Sequence, residues 1–94
     1  MIIIKKNPGT EYFVTEIDNT LEAMQKAVGG YIETVPIASD CVIVCDEEGL
    51  LKWLPYNTNL AGVDFYGPIF ICGVKGEDFC NVPQILAPLL GVKS

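Results

Sequence analysis

The side chains in this chain that could do chemistry are four cysteines, twelve carboxylates and one aromatic-amide run. Cys41, Cys45, Cys72 and Cys80 contain no C-x-x-C pair, and there is no histidine to complete a mixed zinc site. Lack of histidine also removes the commonest general base and every Ser-His or Cys-His nucleophile pair. Three of the cysteines sit among Val, Ile and Phe, where a thiol behaves as a small buried hydrophobe. Reduced core cysteines are therefore expected, against the alternatives of a four-thiolate zinc site or a redox pair. No metal, no cofactor and no catalytic residue is expected, and the protein is read as not an enzyme. Glu33 and Asp40 could in principle act as acid and base, but no feature raises one carboxylate above another.

The acidic set is Asp40, Asp46, Glu47, Glu48 and Asp64, with Glu77 and Asp78 further on. Clustered carboxylates can imitate a phosphate backbone and occupy the basic channel of a nucleic-acid enzyme. Asp46-Glu47-Glu48 lacks the alternating spacing of a calcium loop, so a hard cation is not expected there. The alternative is a solvated turn that keeps the protein soluble. The second candidate is Trp53-Leu54-Pro55-Tyr56-Asn57-Thr58-Asn59, which joins two amphipathic rings to two amides. Its alternative is edge closure by Trp53 and Tyr56, with the asparagines satisfying turn backbone. The expected partner- or ligand-binding residues are thus Asp46, Glu47, Glu48, Trp53, Tyr56, Asn57 and Asn59. Gly29-Gly30 follows a helix rather than opening one, which makes it a cap and not a phosphate cradle.

These residues need a frame, and 94 residues supply one core. Half of the residues are hydrophobic and 19% charged, enough for a packed interior, and residues 1–94 are read as a single domain. The formal charge of -6 repels phosphate, so no direct nucleic-acid binding is expected. The opening Met1-Ile2-Ile3-Ile4-Lys5-Lys6 has the wrong charge order for a signal peptide, and no apolar run approaches a membrane span. A soluble cytoplasmic protein is the expectation.

Residues 1–5 read as a strand, Asn7-Pro8-Gly9-Thr10 as a type II turn, and residues 11–17 as the returning antiparallel strand. Asn19 stands three residues before Glu22, a capping pattern, and Leu21, Met24 and Val28 follow at helical spacing up to Gly29. Residues 31–35 read as a strand ending near Pro36. The wholly apolar residues 41–45 and 69–72 read as neighbouring central strands covered on both faces. Residues 50–54 are expected to pair back as a hairpin strand, and residues 55–67 to be irregular, with Leu60-Ala61-Gly62 as half a turn of helix. Asn81-Val82-Pro83-Gln84 resembles a cap before a short C-terminal helix bearing Ile85, Leu86, Leu89 and Leu90. The sum is an α+β fold: a mostly antiparallel sheet of about five strands, one capped helix packed on it and a short C-terminal helix. The second sheet face is to be covered by the long loop or by another copy, so a homodimer is among the expectations.

Ile17-Asp18-Asn19 followed by the run from Leu21 to Glu33, Val44-Cys45-Asp46-Glu47-Glu48-Gly49, Leu54-Pro55 with Asn57, Gly67-Pro68-Ile69-Phe70-Ile71 and Glu77-Asp78-Phe79 occur in that order. Together they resemble a family of small uncharacterised proteins, a domain of unknown function, encoded by phages, plasmids and conjugative elements of Firmicutes and other gut bacteria. The resemblance implies a mobile-element origin and a host bacterial cytoplasm. It carries no catalytic motif, and Thr58 stands where the family often has a basic residue.

The expected function is that of a small acidic mobile-element protein acting non-enzymatically by protein-protein interaction. Its expected partner is a host protein, such as a nucleic-acid enzyme of defence, which it would inhibit in the manner of anti-CRISPR or anti-restriction proteins. The alternative is a small-molecule or nucleotide-signal binder using residues 53–59.

Overall fold

The computed structural model describes residues 1–92, which form eight strands and two helices. β1 (Ile2–Lys6) turns back into β2 (Phe13–Glu16) in antiparallel register, with Ile4 opposite Val14. The turn is the one expected: Thr10 N–H donates to Asn7 O at 3.1 Å, and Gly9 takes the left-handed φ of 79° that a type II turn requires. α1 (Leu21–Val28) follows. Its cap is Thr20, not Asn19: Thr20 Oγ1 accepts from Ala23 N–H at 3.1 Å, while Asn19 Nδ2 donates to Phe79 O at 2.8 Å. The helix ends at Gly29, at φ 86° with its N–H on Gln25 O.

The main sheet then builds from β3 (Ile32–Ala38), β4 (Cys41–Asp46), β7 (Ile69–Lys75) and β8 (Asp78–Cys80). Its order is β2-β1-β7-β4-β3, with β8 also on β7, and every pairing is antiparallel. The α+β class and the adjacency of the two apolar strands match the expectation, whereas the eight strands exceed the five expected. β3 runs through Pro36 instead of stopping there, because an edge strand can leave a missing N–H facing outward and the register shifts by a bulge between Pro36 and Ala38.

Side-chain alternation explains why residues 41–45 of β4 and 69–72 of β7 are apolar at every position. One face carries Ile4, Ile43, Ile69 and Ile71, and the other Ile3, Val44, Phe70 and Cys72, all with no exposed surface. α1 covers the second face with Met24 and Val28. The first is covered from within the described chain by Phe65 and Leu60, and by the C-terminal stretch with Val82, Leu86, Leu90 and Val92.

Phe65 and Leu60 belong to a hairpin where an irregular stretch was expected. β5 (Tyr56–Leu60) and β6 (Val63–Tyr66) pair through the two-residue turn Ala61-Gly62, whose φ angles of 54° and 78° are both left-handed. That is the backbone twist of a tight hairpin, achieved here without the Asn-Gly pair that usually marks it. Residues 50–54 form no strand; they coil back in turns. At the C-terminal end α2 (Leu86–Leu89) has only four residues, and its N-cap position is Ile85, which has no side-chain acceptor, so the expected cap at Asn81 does not form. Asn81 Oδ1 accepts from Ile2 N–H at 2.8 Å, and Val82 N–H donates to Ile2 O at 2.9 Å. Of its four expected apolar residues, Leu86 and Leu90 are half-buried while Ile85 and Leu89 are exposed. No helix among the described residues is long and apolar enough to cross a membrane.

Candidate functional site

Residues 47–54 form a braced turn at the end of β4. Asp46 is its anchor, with a fully buried carboxylate that accepts from Glu48 N–H at 2.9 Å through Oδ1 and from Lys52 Nζ at 2.7 Å through Oδ2. The Asp46 hydrogen bond raises the Lys52 ammonium above its usual range. Lys52 Nζ also donates to Gly29 O at 3.3 Å, and Glu47 N–H donates to Tyr31 O at 3.0 Å. The turn is thereby tied to the segment that leaves α1. Gly30 is required at this junction, since a Cβ there would lie 2.5 Å from Lys52 Nζ and 2.7 Å from Asp46 Oδ2. Gly49 is required on the other side, where a Cβ would meet Tyr66 O at 2.6 Å.

Within the turn, Lys52 N–H reaches Glu48 O at 2.9 Å, Trp53 N–H reaches Leu50 O at 3.2 Å and Leu54 N–H reaches Gly49 O at 3.1 Å. This bonding satisfies the backbone and leaves the side chains outside. Leu50 is 66% exposed, Leu51 76% and Trp53 92%; Tyr31, on the tethered segment, is 65% exposed. Trp53 also has a φ of 57°, in the left-handed region that a bulky residue rarely occupies.

The seven residues expected to bind do not converge. Asp46 is spent inside the turn, Glu47 is exposed and Glu48 half-buried. Asn57 is buried: Nδ2 donates to Lys6 O and Gly67 O, both at 2.8 Å, and Oδ1 accepts from Lys6 Nζ at 2.7 Å. It clamps the β5–β6 hairpin to the end of β1. Tyr56 and Asn59 are outside, where the Tyr56 hydroxyl and Asn59 Nδ2 both donate to Asp64 Oδ1, at 3.2 and 3.0 Å, and Tyr56 meets the Tyr66 ring edge-on at 5.6 Å. Trp53 remains as the one free anchor of the aromatic-amide run. Leu50 and Leu51 were missed because an apolar pair after a Gly-ended turn looks like the start of a strand, and Tyr31 because it opens the run 31–35 that reads as one.

No group of three or more His, Cys, Asp or Glu side chains among the described residues is arranged to hold a metal ion. The four cysteines are free thiols, with Cys41, Cys45 and Cys72 buried and Cys80 half-buried. Burial pushes the Cys45 thiol up to about 11 and the Cys72 thiol up to about 12. The folded chain therefore keeps protons that an unfolded chain, with thiols near 9.0, would release. Stability is fully present below pH 9 and falls as pH rises through the window up to about 12. Thermal scans above pH 9 are expected to show a declining midpoint, and Cys72→Val is expected to flatten the decline.

Compared with known proteins, the chain matches a family described as a domain of unknown function, DUF3846, over residues 1–90. The chain belongs to that family. No curated protein and no solved structure matches it. Family membership thus extends across both halves of the site, the segment after α1 and the turn 47–54, and assigns a function to neither.

Proposed function

We propose that this member of the family is a non-enzymatic protein that binds another protein through the turn 47–54, with Trp53 as the anchor. Trp53 carries the reading. A tryptophan 92% exposed and held at a left-handed φ costs the folded chain on two counts and adds nothing to its core. Tryptophan is also the side chain most enriched among residues that dominate binding energy, and Leu50 and Leu51 add apolar surface beside it. Asp46, Lys52 and Gly30 hold the turn in shape before a partner arrives, which lowers the entropy lost on binding.

The partner is a host protein with an apolar recess set in a basic surface, because Glu47 is exposed beside the anchor and the chain carries a formal charge of -6. A nucleic-acid enzyme of host defence fits that description, and the resemblance to mobile-element proteins supports action in a host bacterial cytoplasm. The high thiol pKa values of Cys45 and Cys72 favour a non-enzymatic role, since neither is a thiolate near neutral pH. The nucleotide-signal reading draws less support. Asn57 has no free group for a ligand, and the cavity of about 190 Å³ beside the turn is lined by Glu33, Asp46, Glu47 and Asp64 with no lysine.

The test is affinity capture from a bacterial host lysate with the wild-type chain, Trp53→Gly and the double variant Glu47→Gln/Glu48→Gln. The wild type is expected to retain a protein with a basic face that Trp53→Gly loses, while Trp53→Gly, relieved of the left-handed strain, is expected to be no less stable than wild type. The double variant is expected to bind more weakly at low salt, with the difference shrinking as salt is added. Equal capture by Trp53→Gly would overturn the reading.

A further inference from the structure

We infer that the chain pairs with a second copy of itself through β2, about a two-fold axis at Val14. β2 and β3 are the two ends of the main sheet order, and they are not alike. β3 is blunted by Pro36 and by the bulge that follows it. β2, Phe13-Val14-Thr15-Glu16, has no proline, no lysine and no bulge, and its Phe13 and Val14 are both exposed.

The hydrogen-bond pattern says which β2 residues face outward. Ile17 N–H donates to Met1 O at 3.0 Å, and the Met1 ammonium donates to Ile17 O at 2.7 Å, so these two form a bonded pair. Bonded pairs alternate along an antiparallel ladder. Thr15 and Phe13, opposite Ile3 and Lys5, therefore also bond to β1, whereas Glu16 and Val14 turn their N–H and C=O groups to the open edge, and the same alternation carried one residue beyond β2 turns Tyr12 that way.

Of the two-fold registers centred on an outward residue, one suits this edge. With Val14 opposite the second copy's Val14, each outward residue finds an outward residue: Val14 meets Val14, and Tyr12 meets Glu16 on both sides of the axis. Centring on Glu16 would set two carboxylates opposite each other. Centring on Tyr12 would carry Val14 against Thr10, where the chain is already in its turn. Charge also favours the Val14 register. Lys6 Nζ lies 5.9 Å from the centroid of the Tyr12 ring, so the second copy's Glu16 carboxylate arrives beside a cation. Val14 further lines an apolar groove of about 440 Å³ with Ile2, Ile4, Val82, Ala87 and Val92, none of them charged. A negatively charged chain can meet itself here without burying like charges, and Val14 of each copy extends the apolar face of the other.

Sedimentation of the purified protein over a range of concentrations tests the pairing. The wild type is expected at twice the chain mass of 10.3 kDa. Val14→Pro removes an N–H that no bond within the chain uses, and is expected at the single-chain mass with an unchanged far-UV circular dichroism spectrum. Val14→Lys keeps the N–H but brings two like charges together at the axis, and is expected to dissociate as well, so it decides the matter if Val14→Pro misfolds. A wild type that stays at the single-chain mass at the highest concentration, or a pair that Val14→Lys leaves intact, would overturn the inference.

Discussion

Phe70→Ala is expected to destabilise the folded chain by about 3–5 kcal/mol, measured as a lower midpoint in urea unfolding. Phe70 lies in β7 between β1 and β4, opposite Lys5 and Val44, and has no exposed surface. It is the largest of the fully buried side chains and packs in the cluster that receives Met24 and Val28 from α1. Its removal leaves a cavity under the one helix that covers this face, and an eight-residue helix has little stability apart from that packing. Domains of this size hold only about 5–15 kcal/mol in all, so the loss is a large share of the total. Leu51→Ala, on the exposed turn, is the control and is expected to change stability by less than about 0.5 kcal/mol. A Phe70→Ala change under about 1 kcal/mol would mean that the face is not packed as described.

Asn57→Ala is expected to cost about 2–4 kcal/mol, because one substitution ends three hydrogen bonds and leaves the Gly67 carbonyl buried without its partner. The Lys6 ammonium loses its carboxamide acceptor in the same step. Asn57→Asp tests the assignment of the amide, since it keeps the acceptor for Lys6 but turns an oxygen toward the Lys6 and Gly67 carbonyls; it is expected to be no more stable than Asn57→Ala. A ligand-binding asparagine at a loop surface would leave the thermal midpoint unchanged in both variants, which is the result that contradicts the clamp.

Asn57 also shows where reading the sequence succeeds and where it fails. The α+β class, the Gly9 turn, the helix stop at Gly29 and the two apolar strands were legible because each rests on a local rule: a left-handed glycine or a run with no polar position. Local rules failed where a long-range partner took the residue. Asn19 and Asn81 look like helix caps, but Asn19 Nδ2 donates to Phe79 O and Asn81 Oδ1 accepts from Ile2 N–H. The hairpin of β5 and β6 was hidden because Ala61 occupies a left-handed position that favours Asn or Gly, and because Asn57-Thr58-Asn59 is too polar to suggest a strand.

At the site, the acidic turn and Trp53 were visible from residue type alone, but not their division of labour. Asp46 is set apart from Glu47 by its place at the end of β4, where Lys52 and the Gly30 junction enclose it. Nothing in the order of residues distinguishes the inward Asn57 from the outward Trp53 four positions earlier.

Trp53 is the single tryptophan of the chain, so its fluorescence reports directly on the recognition turn. The measurement is its emission and its quenching by a soluble quencher, first alone and then with the protein retained in affinity capture. An exposed anchor that becomes buried on binding predicts fully quenchable, water-like emission from the free chain, then a shift to shorter wavelength and loss of quenching when the partner is added. Emission from the free chain that is already protected, or that does not change with the captured protein, would contradict the account.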